Sequence, residues 1–225
     1  MIFHDRIKSI KKTDRVLEVG PGGSPYSRSN VLLEKIFDPD EALNQRGHTD
    51  ALETEQEIVY YSEKRFPFDD NEFDYVICSH VLEHIPENDF EFFINELQRV
   101  ANNGYIEYPT IYYEYLYNFK VHTTFLNYKD NVIYYMDKAK SDLNGFFQIQ
   151  MFFYKTLEKG YDEIIRENKE YFFQGFEWHD EINILKTDEI QELVSKEIKL
   201  TNVKHKQKKY IFLNRIKQLL RKLFK

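Results

Sequence analysis

The stretch Val16-Leu-Glu-Val-Gly-Pro-Gly-Gly-Ser-Pro25 constrains the fold more than any other in this chain. Val16, Leu17 and Val19 are apolar and β-prone, as a strand buried on both faces requires. Gly20, Gly22 and Gly23 follow at once, so the backbone can turn sharply and approach a ligand without interference from a Cβ. Open α/β sheets hold nucleotide-like ligands at such a junction, beyond the carboxyl end of a parallel strand. The dinucleotide fingerprint needs a third glycine at position 25, where Pro25 stands, and this argues against hydride-transfer chemistry. Glu18 lies two residues before the first glycine. A carboxylate there can accept hydrogen bonds from an ammonium group or from turn amides, which suits an amino-acid ligand better than a pyrophosphate.

A second anchor lies downstream in Phe73-Asp-Tyr-Val-Ile-Cys-Ser-His-Val-Leu-Glu-His-Ile-Pro86. Here a buried strand over Tyr75–Cys78 ends in Ser79 and His80 and runs into a helical turn. The two runs occur in order, with Phe66 to Asp74 (FPFDDNEFD) as lead-in to the second. Together they resemble the class I S-adenosylmethionine-dependent methyltransferases, and within them the small enzymes of sugar and surface-glycan pathways. The resemblance spans roughly residues 13 to 110. It implies an α/β, Rossmann-like fold with a mostly parallel seven-stranded sheet, an insertion after the fifth strand and S-adenosylmethionine as cofactor. It also implies donor contacts from Glu18, Gly20, Pro21, Gly22, Glu34, Ser62, Glu63, Ser79 and His80.

Residue chemistry fills in the rest. Only Tyr26 to Asn30 separate the glycine turn from the next strand, Val31–Glu34, although a parallel crossover usually needs a dozen residues and a helix. No full helix dipole is therefore expected to face the ligand. Glu34 closes the second strand, where a carboxylate can grip both hydroxyls of a ribose; otherwise it is an ordinary surface glutamate. Ile58–Tyr61 reads as a third strand followed by Ser62 and Glu63, where the resemblance places an adenine contact. Asn88 to Glu91 reads as a capping box opening a helix that buries Phe90, Phe93, Ile94, Leu97 and Val100 and stops at Gly104. Tyr105–Tyr108 is the fifth strand. Phe3–Ile10 reads as a short lead-in helix, Thr123–Met136 as a hairpin, 139–170 as helix, and Tyr171–Phe173 with Trp178–Leu185 as the last strands. Residues 110–160 form the candidate substrate-shaping insertion of a methyltransferase domain spanning 1–200. Its aromatics can stack on sugar rings or simply make a small core.

Methyl transfer from a sulfonium to a hydroxyl needs alignment and removal of one proton. His80, beside the expected methyl, and His122, which resembles a histidine at the mouth of the glycan-linked enzymes' sites, are the two candidate bases. His84 reads as an anchor of its helical turn against the glycine loop, and His179 as structural. The histidines are scattered without zinc spacing and Asp38 and Asp40 read as solvated loop acids, so no metal is expected. Cys78 stands alone within a buried strand and reads as a core residue in a reducing, cytoplasmic setting.

Charge divides the chain. Residues 201–225 carry nine Lys/Arg and no Asp/Glu, which leaves 22 Lys/Arg against 38 Asp/Glu, a net of −16, in residues 1–200. An acidic body argues against broad nucleic-acid binding. The tail Lys204–Lys225 reads as a basic amphipathic helix suited to an anionic membrane surface, or else to docking on protein. The expected activity is O-methylation of a sugar or glycan intermediate, in the cytoplasm or peripherally at the inner face of the membrane. The alternatives are N-methylation of an amino-sugar or small amine, and a methyltransferase-fold module that binds without catalysis.

Overall fold

Buried apolar runs make the strands of the central sheet. In the computed structural model, which describes residues 1–38, 54–156 and 162–194, β1 (Val16–Val19) is buried at every position. β2 (Val31–Lys35), β3 (Glu57–Tyr61), β4 (Tyr75–Ser79) and β5 (Asn103–Pro109) lie parallel to it in the order β3-β2-β1-β4-β5. β8 (Phe173–His179) completes that sheet antiparallel to β5. Sequence order reverses between β1 and β4, which places the ligand crevice of an open α/β sheet at their carboxyl ends.

The seven-stranded sheet expected from the sequence is, among the described residues, a six-stranded one with a separate three-stranded sheet. The second sheet joins β6 (Thr124–Lys129), β7 (Val132–Asp137) and β9 (Ile184–Lys186). Its hairpin falls at the expected Thr123–Met136, but the first strand runs on through Lys129, so the turn is shorter than the Asn127–Asn131 loop expected. Lys129 pairs with Val132 across a two-residue turn in which Asp130 and Asn131 have φ of 53° and 63°, the left-handed pair that matches strand twist. The run Trp178–Leu185 is not one strand, because the chain turns at Asp180 (φ 61°) and β9 runs parallel to β7 instead. Tyr171 and Phe172 end a helix.

Helix α1 (Glu87–Val100) buries the predicted face of Phe90, Phe93, Ile94, Leu97 and Val100. Its N-cap, however, is Pro86, without a side-chain cap, and the expected box lies within the first turns. Nor does Gly104 stop the helix. Ala101 leaves it in extended conformation, and Gly104 sits in β5, where a Cβ would lie 2.4 Å from the Val76 carbonyl oxygen and 2.6 Å from Trp178 Nε1. That glycine is required by a close approach, not by a turn.

Beyond β5 come α2 (Ile111–Tyr117), α3 (Phe147–Thr156), α4 (Asp162–Glu167) and α5 (Lys169–Phe172). The helix expected over 139–170 is thus broken, and its beginning is 3-10 turn at Lys138–Lys140 and Asp142–Phe146. The lead-in helix is likewise a single 3-10 turn, His4–Arg6, preceded by a fully buried Phe3. The connection from β1 to β2 has no helix, as its length required. It is a loop tied at both ends, with Gly20 N donating to Leu33 O (2.9 Å) and Asn30 N to Val16 O (2.8 Å).

Candidate active site

A cavity of about 350 Å³ opens at the carboxyl ends of β1, β2 and β4, within the size of small-molecule sites. Gly20, Gly22 and Gly23 form one wall, Glu34 and Tyr61 another, and His80 and His84 a third. Gly20 and Gly22 have φ of 63° and 59°, so the turn needs residues without a Cβ. At Gly20 a Cβ would meet Val81 Cγ2 at 2.6 Å; at Gly22 it would meet no protein atom within 4 Å. The open side of Gly22 is a cradle into which a ligand can come close.

Glu18 does not line this cavity. It is buried, and its carboxylate accepts hydrogen bonds from Tyr26 N (2.8 Å) and Ser29 Oγ (2.8 Å), so it folds the glycine loop from behind. Burial pushes its pKa above the ordinary carboxylate value, against the pull of those two donors. Pro21, buried in the same loop, is also absent from the cavity wall. Glu34 does line it and is 7% exposed, near the end of β2. Ser62 and Glu63 line a neighbouring open groove with Arg65 and Phe66, and Tyr61 lines both that groove and the cavity.

Ser79 donates to Glu107 Oε1 (3.0 Å). Glu107 is fully buried and also accepts from Ile2 N (2.6 Å), Phe3 N (2.8 Å) and Tyr105 Oη (2.7 Å). His80 has a left-handed backbone (φ 57°), and its ring lies between two acids. Its Nδ1 is 3.3 Å from Glu83 Oε1 and its Nε2 3.1 Å from Glu107 Oε1. Burial lowers the His80 pKa, but hydrogen bonds and attraction to Glu107 and Glu83 outweigh it and raise it to about 9. Glu107 is held down to about 2, burial notwithstanding, chiefly by His80. At neutral pH His80 is therefore an imidazolium with no lone pair to accept a proton. This corrects its expected role as a base.

His122 stands in a different setting. Its Nδ1 contacts Glu114 Oε1, while the other oxygen of Glu114 accepts from Lys138 Nζ (2.6 Å). The His122 ring meets that of His84 edge to face with centroids 4.7 Å apart. His84 Nδ1 lies 3.2 Å from the Val121 carbonyl, which can only accept, so Nδ1 carries the proton. Burial lowers the His84 pKa, and the ring is neutral at neutral pH. Thus His84 is on the cavity wall and His122 directly behind it. His179, by contrast, is exposed and bonds Asn103, far from the cavity walls. Sequence reasoning missed Glu83, Glu107 and Glu114. Glu107 left a signal, a lone charge inside the apolar strand Tyr105–Tyr108.

The family model described as a methyltransferase domain matches residues 17–106, which include β1 to β4, the glycine loop and the start of β5. No curated protein matches the chain. Among solved structures, a Pyrococcus horikoshii protein is 17% identical with a TM-score of 0.37, over 53% of this chain and 64% of its own. A Methanosarcina mazei S-adenosylmethionine-dependent methyltransferase is 17% identical with a TM-score of 0.35, over 57% and 71%. A Bacillus halodurans protein described as a methyltransferase is 20% identical with a TM-score of 0.34, over 50% and 55%. The chain spans less than two thirds of the length of the first and third of these. The matched segment, with its parallel sheet and its glycine-walled cavity at the strand-order reversal, is similar to a methyltransferase domain. Its cofactor is S-adenosylmethionine, and the open side of Gly22 together with the carboxylate of Glu34 fits that group.

Proposed function

We propose that this chain catalyses transfer of the S-adenosylmethionine methyl group to an oxygen of a sugar or glycan intermediate. The observation that carries the reading is one cavity with two kinds of wall. On one side stand positive-φ glycines and Glu34, which suit the donor; on the other stands His84, neutral and backed by His122. When bound, the donor supplies an electrophilic methyl on a sulfonium with a neutral leaving group. Gly20 and Gly22 admit it closely, Glu34 takes the ribose hydroxyls, and Glu18 keeps the loop in shape through Tyr26 and Ser29. The acceptor hydroxyl loses its proton on the histidine side. His122, whose Nδ1 is held by Glu114, is the candidate base behind His84. His80, fixed between Glu83 and Glu107, supplies a positive charge and loop rigidity instead.

A sugar or glycan acceptor is supported by the motif resemblance and by the aromatic content of 110–160. An enzyme of lipid-carried glycans works beside an anionic membrane surface in the cytoplasm, and the basic segment 204–225 is assigned that contact. It lies outside the described residues. The test is incubation of the full chain with methyl-labelled donor and a panel of nucleotide-sugars, glycans and amino-sugars, read by mass spectrometry. A labelled ether on a sugar is the expected product. Label on nitrogen supports the N-methyl reading. Donor binding with no transfer to any acceptor leaves a binding module, and absence of donor binding at millimolar concentration overturns the enzyme altogether.

A further inference from the structure

We propose that Glu83, His84 and His122 form a binding site for one divalent transition-metal ion at the histidine wall of the cavity. One ligand atom from each of the three lies within 4.8 Å of the other two. Bonds of about 2.1 Å to an ion set ligand atoms roughly 3 Å apart, so binding draws the three together by small side-chain rotations. No spacing in the chain announces this site. Glu83 and His84 are neighbours in a 3-10 turn after β4, whereas His122 arrives from the far side of α2.

Glu83 points to a cation. It is 1% exposed, and apart from the contact with His80 neither carboxylate oxygen accepts a hydrogen bond among the described residues. A buried carboxylate left so poorly satisfied is costly, and the nearby His80 Nδ1, at 3.3 Å from Oε1, addresses only one of its oxygens. An ion at Oε2 completes the set.

The surroundings of the two histidines match what metal ligands need. A ligating histidine donates its other ring N–H to a carboxylate or a carbonyl, which fixes tautomer and orientation. His122 Nδ1 is held by Glu114, itself held by Lys138, and His84 Nδ1 by the Val121 carbonyl. In both rings Nε2 is the atom left to bind. The backbone is tied as well, since Thr123 N donates to the Glu83 carbonyl (2.7 Å). Two imidazoles and one carboxylate select iron(II), cobalt(II), zinc or manganese over magnesium or calcium, which prefer all-oxygen sites.

Three protein ligands leave coordination positions open, and His84 belongs to the cavity wall. An acceptor oxygen is the natural occupant, a role that rests on the methyl-transfer reading above. A coordinated hydroxyl is more acidic, so with an ion in place His84 and His122 act as ligands and the hydroxyl proton passes to solvent.

The experiment uses the untagged full chain, stripped with chelator and titrated with cobalt(II), read by the visible absorption of the bound ion and by thermal unfolding. One equivalent is expected, with a rise in Tm. His84→Ala, His122→Gln and Glu83→Gln should each lose more than about 100-fold in affinity, and Glu114→Gln about 10- to 100-fold through loss of orientation. Circular dichroism and calorimetry with S-adenosylmethionine report separately whether each variant is folded and keeps its donor site. Failure of the wild type to bind cobalt(II) overturns the site, as does equal binding by folded His84→Ala and His122→Gln. Binding of cobalt(II) without binding of the donor leaves the metal site standing and overturns the methyltransferase reading instead.

Discussion

The rings of His84 and His122 meet edge to face at 4.7 Å, although one belongs to the loop after β4 and the other to the segment leading into β6. Two hydrogen bonds accompany the contact, one between backbones from Thr123 N to the Glu83 carbonyl and one from the His84 ring Nδ1 to the Val121 carbonyl. The donor loop and the entrance of the second sheet are therefore one unit.

The acid–His80–acid arrangement makes the first prediction. His80→Asn keeps a residue tolerant of the left-handed backbone but removes the cation between Glu83 and Glu107, leaving two buried carboxylates facing each other. The variant should lose about 2 kcal/mol of stability in urea denaturation, a figure reduced because His80 is partly exposed. A loss below about 0.5 kcal/mol would show that the pair is not ionised as described.

Two glycines of one turn should fail in different ways. Gly22→Val places its side chain in the cavity at φ 59° and should abolish calorimetric binding of S-adenosylmethionine, at a folding cost of about 1–2 kcal/mol. Gly20→Ala carries the same backbone penalty and adds a 2.6 Å approach to Val81, so it should be the less stable of the two. Wild-type donor affinity in Gly22→Val would show that the ligand does not enter there.

What the sequence made legible was what local pattern encodes. Two-faced burial marked β1, β2 and β4, the glycines marked the turn, and Asp130-Asn131 sat where a hairpin turn belongs. Of the four features misread or missed, three depend on a partner far along the chain, and Glu18 is local. Gly104 looked like a helix stop because nothing local announces Trp178 packed over it. Glu18 looked like a ligand contact, whereas its nearest donors are in its own loop. The His84–His122 pair has no fixed spacing to search for, and His80 looked like a base because the strand that supplies Glu107 comes later.

Acid should weaken the join between α1 and the second sheet. Glu87 accepts from Asp137 N (3.2 Å) and pairs with Lys140 (2.9 Å) and Lys186 (2.7 Å). Burial raises its pKa, but Lys186, Lys140 and the amide outweigh that and bring it to about 2 from 4.5. Since the folded value is the lower, the contribution is complete above about pH 4.5 and disappears as pH falls through about 2. Both lysines are substantially exposed, so about 1 kcal/mol is expected. In denaturation series across this range, Glu87→Gln should start less stable and lose less on acidification. An unchanged acid slope in the variant would refute the assignment.

The last prediction concerns Lys204–Lys225, outside the described residues. On a helix from Tyr210, the residues Ile211, Phe212, Ile216, Leu219, Leu220, Leu223 and Phe224 share a face, and Arg215, Lys217, Arg221, Lys222 and Lys225 fall opposite or along its flanks. Such a helix gains from burying its apolar face in a bilayer interface and from anionic headgroups, at about 1 kcal/mol at most per basic residue. The charge part is screened by salt and the apolar part is not, so the two can be separated. The full chain should pellet with anionic vesicles at low salt, much less at high salt and least with neutral vesicles, and a chain ending at Val203 should stay in the supernatant. If the full chain stays there too at low salt, the apolar stripe serves protein packing or assembly, where the acidic body offers the lysines an electrostatic partner.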